Sequence, residues 1–206
     1  MSSASEPVPA TSSTSSVNIA DPAPLGLAGF GITTLVLSCF NAGFLNNSAE
    51  AVVLPLALFY GGLGQLLAGM WEFRKGNTFG ATAFTSFGAF WLSYYLLAKD
   101  ILPSLTGSTA SNTGNAVGLF LLAWGIFTLY MTVAALRQSR AVLAIFVALT
   151  ATFVVLAIGA FEANTTVTKV GGWLGLVTAA VALYTSFAGV TAATYGRPVL
   201  PTFPPK

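Results

Sequence analysis

Six stretches of about 20 residues each, at 26–45, 51–71, 79–98, 116–136, 141–161 and 170–193, contain no Asp, Glu, Lys or Arg. An α-helix of about 20 apolar residues has the length needed to cross the hydrocarbon core of a bilayer. No water is present there to satisfy backbone N–H and C=O groups, so unbroken apolar runs of this length must be helical. The expected fold class is therefore an all-α membrane protein, a bundle of six transmembrane helices. Six spans and their connections nearly exhaust the 206 residues, which leaves room for one bundle and no second domain.

Charged residues make up 7% of the chain, against roughly 25% in a soluble domain. A water-exposed surface cannot be built from that supply, and a net charge of +2 gives no purchase on nucleic acid. Histidine is absent and the single cysteine, Cys39, lies inside the first stretch. A disulfide framework and a Cys/His metal site are both excluded within one chain, and no cofactor or metal is expected. With no plausible nucleophile–base pair, the chain does not read as an enzyme. No ionisable residue falls near a bilayer midplane, where pumps and proton relays normally carry one. Such a path suits a small, neutral or weakly charged solute. A carboxylic acid would bring its own proton, since a simple carboxyl titrates at about 4.3.

Residues 1–20, rich in Ser, Thr, Ala and Pro, read as a disordered cytoplasmic tail. No basic segment followed by an apolar one is present there, so this is not a cleavable signal peptide. Residues 21–197 form the transmembrane domain, and 198–206 a short second tail. With six spans both ends share one side, together with Arg74, Lys75, Arg137, Arg140, Arg197 and Lys206. The opposite side holds only Lys99 and Lys169 among basic residues. That asymmetry places both termini in the cytoplasm of a multi-pass plasma-membrane protein. Trp71, Trp91, Tyr94, Tyr95 and Trp173, near span ends, read as interfacial anchors. The connection 100–115 reads as a flexible external loop.

Within the spans lie a few uncharged polar residues, including Thr33, Thr34, Ser38, Asn41, Gln65, Ser86 and Thr178. Ser and Thr can bond to their own helix carbonyls. The Asn41 and Gln65 amides need partners and are costly facing lipid. They either join helices or line a hydrated path. The many glycines within the spans allow close helix packing or a narrow route.

The first span opens on Asp21-Pro22-Ala23-Pro24-Leu25-Gly26-Leu27. Proline fixes an extended approach that cannot continue backward as helix. This stretch resembles the NPAPLGL signature of the acetate uptake transporter family, which holds the bacterial succinate–acetate permeases and fungal ammonia/acetate exporters. Phe59-Tyr60-Gly61-Gly62, Gly76-Asn77-Thr78-Phe79-Gly80, Thr82-Ala83-Phe84-Thr85-Ser86-Phe87-Gly88, Trp124-Gly125-Ile126-Phe127-Thr128 and Gly171-Gly172-Trp173 agree in order, and the resemblance runs over residues 21–201.

The resemblance implies a protomer with its own pore, assembled into a homo-oligomeric ring, commonly a hexamer. It implies passage of acetate and other short monocarboxylates, and in some members succinate, with protons or by a channel-like route. The family's constriction maps onto Phe30, Phe87 and Leu149, with Thr33, Thr34, Gln65 and Ser86 beside it and Asn41 and Asn164 nearer the outside. Two departures stand out. Asp21 replaces the signature's Asn, which would put an anion-repelling carboxylate at the cytoplasmic mouth. Phe87 replaces a Tyr, which makes the neck more apolar and should favour the protonated acid. The alternatives are a passive anion channel, ammonium or ammonia export (disfavoured by the lack of a pore carboxylate) and a non-transporting assembly protein.

Overall fold

The computed structural model describes residues 19–106 and 111–204, so most of the N-terminal tail and Lys206 lie outside it. Six long helical segments follow one another: α1 (Ala23–Asn41), α2 (Asn47–Lys75), α3 (Thr78–Leu96), α4 (Thr113–Ala135), α5 (Arg140–Phe161) and α6 (Thr165–Tyr195). All but α3 are long and apolar enough to cross a membrane. α3 carries Thr78, Thr82, Thr85, Ser86 and Ser93, and it compensates by lying inside the bundle, with Phe84, Phe87, Phe90 and Trp91 all buried. A helix shielded by its neighbours does not need a fully apolar surface.

Helix ends follow local chemistry. Gly76, in the left-handed region at φ 79°, closes α2, and the Asn77 side chain at once accepts the Gly80 N–H (3.1 Å) to open α3. Ser139 and Asn164 cap α5 and α6 in the same way. The expected loop after α3 is partly helical: a π-turn at Leu97–Ile101 and a further turn at Leu102–Ser104 extend the helix, while residues 107–110 lie outside the described part. The described part of the C-terminal segment is docked. Arg140 and Ala141 donate their N–H groups to the Phe203 and Thr202 carbonyls (2.9 and 3.3 Å), and the Tyr184 hydroxyl donates to that of Pro201 (2.9 Å).

Packing joins most sequence neighbours and also the first helix to the last. α1 packs on α6, α6 on α5, α5 on α4, α2 on α3 and α2 on α1. The circuit closes between α3 and α4 through aromatic side chains, because their backbones stand further apart. Phe90 stacks on Phe120 (5.8 Å between ring centroids) and meets Trp124 edge-on (5.2 Å), while Phe87 meets Phe127 (5.3 Å). Six helices thus surround an interior axis lined mainly by α1, α3, α4 and α5, with side chains of α2 and α6 joining them.

The signature at the start of α1 is a junction. Pro24 offers its carbonyl to the Ser186 hydroxyl on α6 (2.6 Å), and Gly26 leaves room for the Phe84 ring of α3, which a Cβ would meet at 2.6 Å. Asp21 caps the Ala23 N–H (3.0 Å) and pairs with Lys75 at the end of α2 (2.8 Å). The expectation of a bare, anion-repelling carboxylate therefore needs correcting, because an ammonium group stands against it.

Candidate transport path

Two cavities lie on the interior axis. The one on the side away from the start of α1 and the end of α6, termed the outer cavity for that position, is about 250 Å³ and is walled by Phe30, Thr34, Ser38 and Asn41 of α1, Glu50 of α2, Phe90, Trp91 and Tyr94 of α3, Phe120 of α4, and Leu149 and Thr152 of α5. The inner one, about 40 Å³, is lined by Leu27, Phe30, Gln65, Phe84, Phe87, Ile145, Phe146 and Leu149. Phe30 and Leu149 belong to both walls, so the cavities meet across those two side chains. Both are buried, at 4% exposure each, and Phe87 (3%) stands just inward, its ring centroid 5.8 Å from that of Phe30. The Phe30, Phe87 and Leu149 side chains, on three different helices, are thereby gathered at one level of the axis.

The polar residues expected beside the neck divide. Thr34 and Asn41 line the outer cavity, and Gln65 the inner one. Thr34 Oγ1, Gln65 Oε1 and the Trp91 indole N–H are buried without a hydrogen-bond partner, an arrangement that costs free energy unless a ligand or water completes it. Thr33 lies outside both walls and bonds back to the Gly29 carbonyl (2.8 Å). Ser86 lines neither cavity. Asn164 is occupied as a helix cap, its side-chain oxygen accepting the Thr166 and Val167 N–H groups (3.0 and 3.2 Å).

Three features escaped the sequence reading. Trp91 is not an interfacial anchor: it is buried at 2% exposure against Phe90 (5.0 Å), whereas Trp71 and Trp173 are exposed. Glu72 is fully buried at the inner end of α2, where the Asn77 amide donates to its Oε2 (2.9 Å). Glu50 lines the outer cavity and accepts a hydrogen bond from the Tyr94 hydroxyl (3.0 Å), so the path does hold a carboxylate. Position at a span end gave no hint that a turn of 3₁₀ helix, Asn47–Val52, would aim this side chain inward.

An aromatic neck between two cavities, inside one circuit of membrane-length helices, defines a polytopic membrane protein of the channel or carrier kind. The chain belongs to the GPR1/FUN34/yaaH family, whose model matches residues 4–204. It is 42% identical over 183 residues to the succinate-acetate/proton symporter SatP of Escherichia coli K12, covering 89% of this chain and 95% of that protein. It is 44% identical over 174 residues to the ammonia transport outward protein 2 of Saccharomyces cerevisiae, with 83% of this chain and 61% of that protein covered. The solved structure of the bacterial acetate channel SatP superposes with a TM-score of 0.83 at 39% identity, over 90% of this chain and 99% of that one.

Proposed function

We propose that this protein carries acetate and other short monocarboxylic acids, with the dicarboxylate succinate a further candidate, across the plasma membrane together with protons. The observation that carries the reading is the shared wall of the two cavities: any solute moving between them must pass the buried, apolar side chains of Phe30 and Leu149 and then Phe87. Moving an ionised carboxylate into such surroundings is very costly, whereas a neutral acid loses only a few hydrogen bonds. The unpartnered Thr34 Oγ1 and Trp91 N–H in the outer wall, and Gln65 Oε1 in the inner one, are the groups to replace those bonds on either side. Relatives named for succinate and acetate support the choice of solute.

The proposal extends to assembly and orientation. Large apolar side chains remain exposed along the outer faces, among them Phe59, Ile126, Val133 and Phe187. They meet lipid or a neighbouring copy, and the assembly is a homohexameric ring with each protomer keeping its own path. Both termini face the cytoplasm.

The test is uptake of labelled acetate into proteoliposomes at external pH 5 to 8, with and without a protonophore. The neutral fraction of a carboxyl that titrates at about 4.3 falls about 80-fold between pH 5 and pH 7. Uptake that follows this fall and collapses with the protonophore supports the reading. Uptake indifferent to the protonophore supports a passive anion channel, the second reading, which the name of the related channel structure favours. Absence of acetate uptake, with methylammonium transported instead, refutes both and leaves ammonium export, which the carboxylate of Glu50 does not oppose.

A further inference from the structure

The outer cavity holds one charged side chain among its lining residues, Glu50. Its setting is specific. The Tyr94 hydroxyl donates to Oε1 at 3.0 Å, which fixes the carboxylate against the wall formed by Phe90, Trp91 and Tyr94. Those rings pack on one another, Phe90 on Trp91 at 5.0 Å and Trp91 on Tyr94 at 5.7 Å between centroids, so the acceptor is held by a rigid aromatic ledge. Tyr94 satisfies one carboxylate oxygen and leaves the other for whatever occupies the cavity.

Other charges near the mouth are few. Lys169 lines an adjoining outer recess of about 380 Å³ together with Asn41, Asn47 and Thr168, and Asn41 and Thr168 also line the outer cavity. Lys99, at the outer end of α3, is bonded to the Tyr95 hydroxyl (2.8 Å) and does not line the cavity. Lys169 thus belongs to the adjoining recess, while Glu50 stands in the wall of the aromatic chamber itself.

We infer that Glu50 is a charge filter that helps to keep transport electroneutral: its carboxylate lines the outer cavity and excludes carboxylate anions while leaving neutral acids unaffected. This rests on the proposed proton-linked carriage of monocarboxylic acids, and it adds, upstream of the apolar neck, a second discrimination that works by sign. A unit charge about 6 Å from a second one, at an effective dielectric constant of about 20, changes the population of an anion about 100-fold. An apolar neck slows every charged solute, whatever its sign. A fixed carboxylate selects by sign, and its removal has a different signature from widening the neck.

The experiment uses the full chain, purified and reconstituted, with labelled acetate at external pH 7 and a potassium diffusion potential, inside positive, imposed by valinomycin. Wild type is expected to take up acetate without response to the potential and, in separate vesicles given a pH gradient (inside alkaline) and no potential, to lose uptake with a protonophore. Glu50→Gln keeps an oxygen to accept from Tyr94 and removes the charge. It is expected to gain potential-driven acetate uptake, with the ratio of voltage-driven to protonophore-sensitive flux rising about 100-fold. Glu50→Asp retains the charge and is expected to keep the coupling electroneutral. A Glu50→Gln protein that stays electroneutral beside a proton-linked wild type overturns the filter alone. Equal behaviour of Glu50→Gln and Glu50→Asp does the same, including the case in which both lose flux while eluting as intact oligomers. A wild type that itself conducts acetate under the potential overturns the proton-linked reading and the filter with it.

Discussion

Replacing Phe87 by Tyr adds one hydroxyl at the neck, and the structure says where that hydroxyl has to go. The Phe87 ring is surrounded by the rings of Phe30, Trp124, Phe127 and Phe146, with centroids 5.3–6.2 Å away, none of which offers an acceptor of hydrogen-bonding strength. The one open acceptor in the same 40 Å³ cavity is Gln65 Oε1, which is buried without a partner. If the new hydroxyl donates to it, two buried polar groups are satisfied at once and the substitution is close to neutral. If it finds no partner, it costs about 1–3 kcal/mol. The pairing is resolved by a double-mutant cycle. Phe87→Tyr is expected to shift stability by less than about 0.5 kcal/mol in the native background, but to cost about 1–3 kcal/mol when Gln65 is replaced by Leu. The coupling of about 1–2 kcal/mol is within the range for residues in contact. For a chain of this size each kcal/mol moves Tm by about 2–4 °C, so thermal unfolding of the four purified proteins in one detergent resolves it. The same variant should flatten the pH dependence of acetate uptake, because a hydroxyl in the neck partly replaces water around a carboxylate. Equal destabilisation by Phe87→Tyr in both backgrounds refutes the pairing, and an unchanged pH profile refutes the link between this position and selection of the neutral acid.

Asn77→Ala removes both the cap of α3 and the donor to the buried Glu72 carboxylate, two bonds at 3.1 and 2.9 Å. A cap is worth about 1 kcal/mol and a hydrogen bond to a charged group about 1.5–3, so chemical unfolding should show a loss of about 2–4 kcal/mol. Asp21→Asn breaks a half-exposed ion pair with Lys75 but keeps an oxygen for the Ala23 N–H. The expected loss is below about 1 kcal/mol, with acetate uptake unaltered, since Asp21 lines neither cavity.

The architecture was legible because a bilayer imposes a length and a composition on whatever crosses it. The six uncharged stretches predicted six helices, and the structure adds that Gly76, Asn77 and Ser139 set helix ends by turn and cap chemistry. Asymmetric roles among the helices were not legible. α3 is as free of charge as the others, yet it is, with α1, among the helices most covered by neighbours, which makes its polar and small residues tolerable. Trp91 illustrates the same blindness: an aromatic near a span end suits an interfacial anchor by position, and only the packing of Phe90 and Tyr94 around it makes it core.

At the site the division is similar. The neck residues Phe30, Phe87 and Leu149 came from a family resemblance, and no periodicity in the chain would have singled out Phe30 and Phe87 from 16 phenylalanines. Of the path-lining candidates, Thr34, Asn41 and Gln65 face cavities while Thr33 and Asn164 spend their hydrogen bonds on the backbone. A side chain's type is fixed by the sequence, but whether its donor is spent locally depends on the rotamer its neighbours allow.

The sequence by itself determined that this chain lives in a membrane as a helical bundle and roughly where its spans lie, because hydrophobic length is a local property. Tertiary structure alone decided which faces meet on the axis. It buried Glu72, turned Glu50 into the outer cavity and paired Asp21 with Lys75, since each outcome depends on residues between 5 and 54 positions away. Charge in the sequence is a count, whereas charge in a transport path is a matter of which side chain the packing leaves facing the solute.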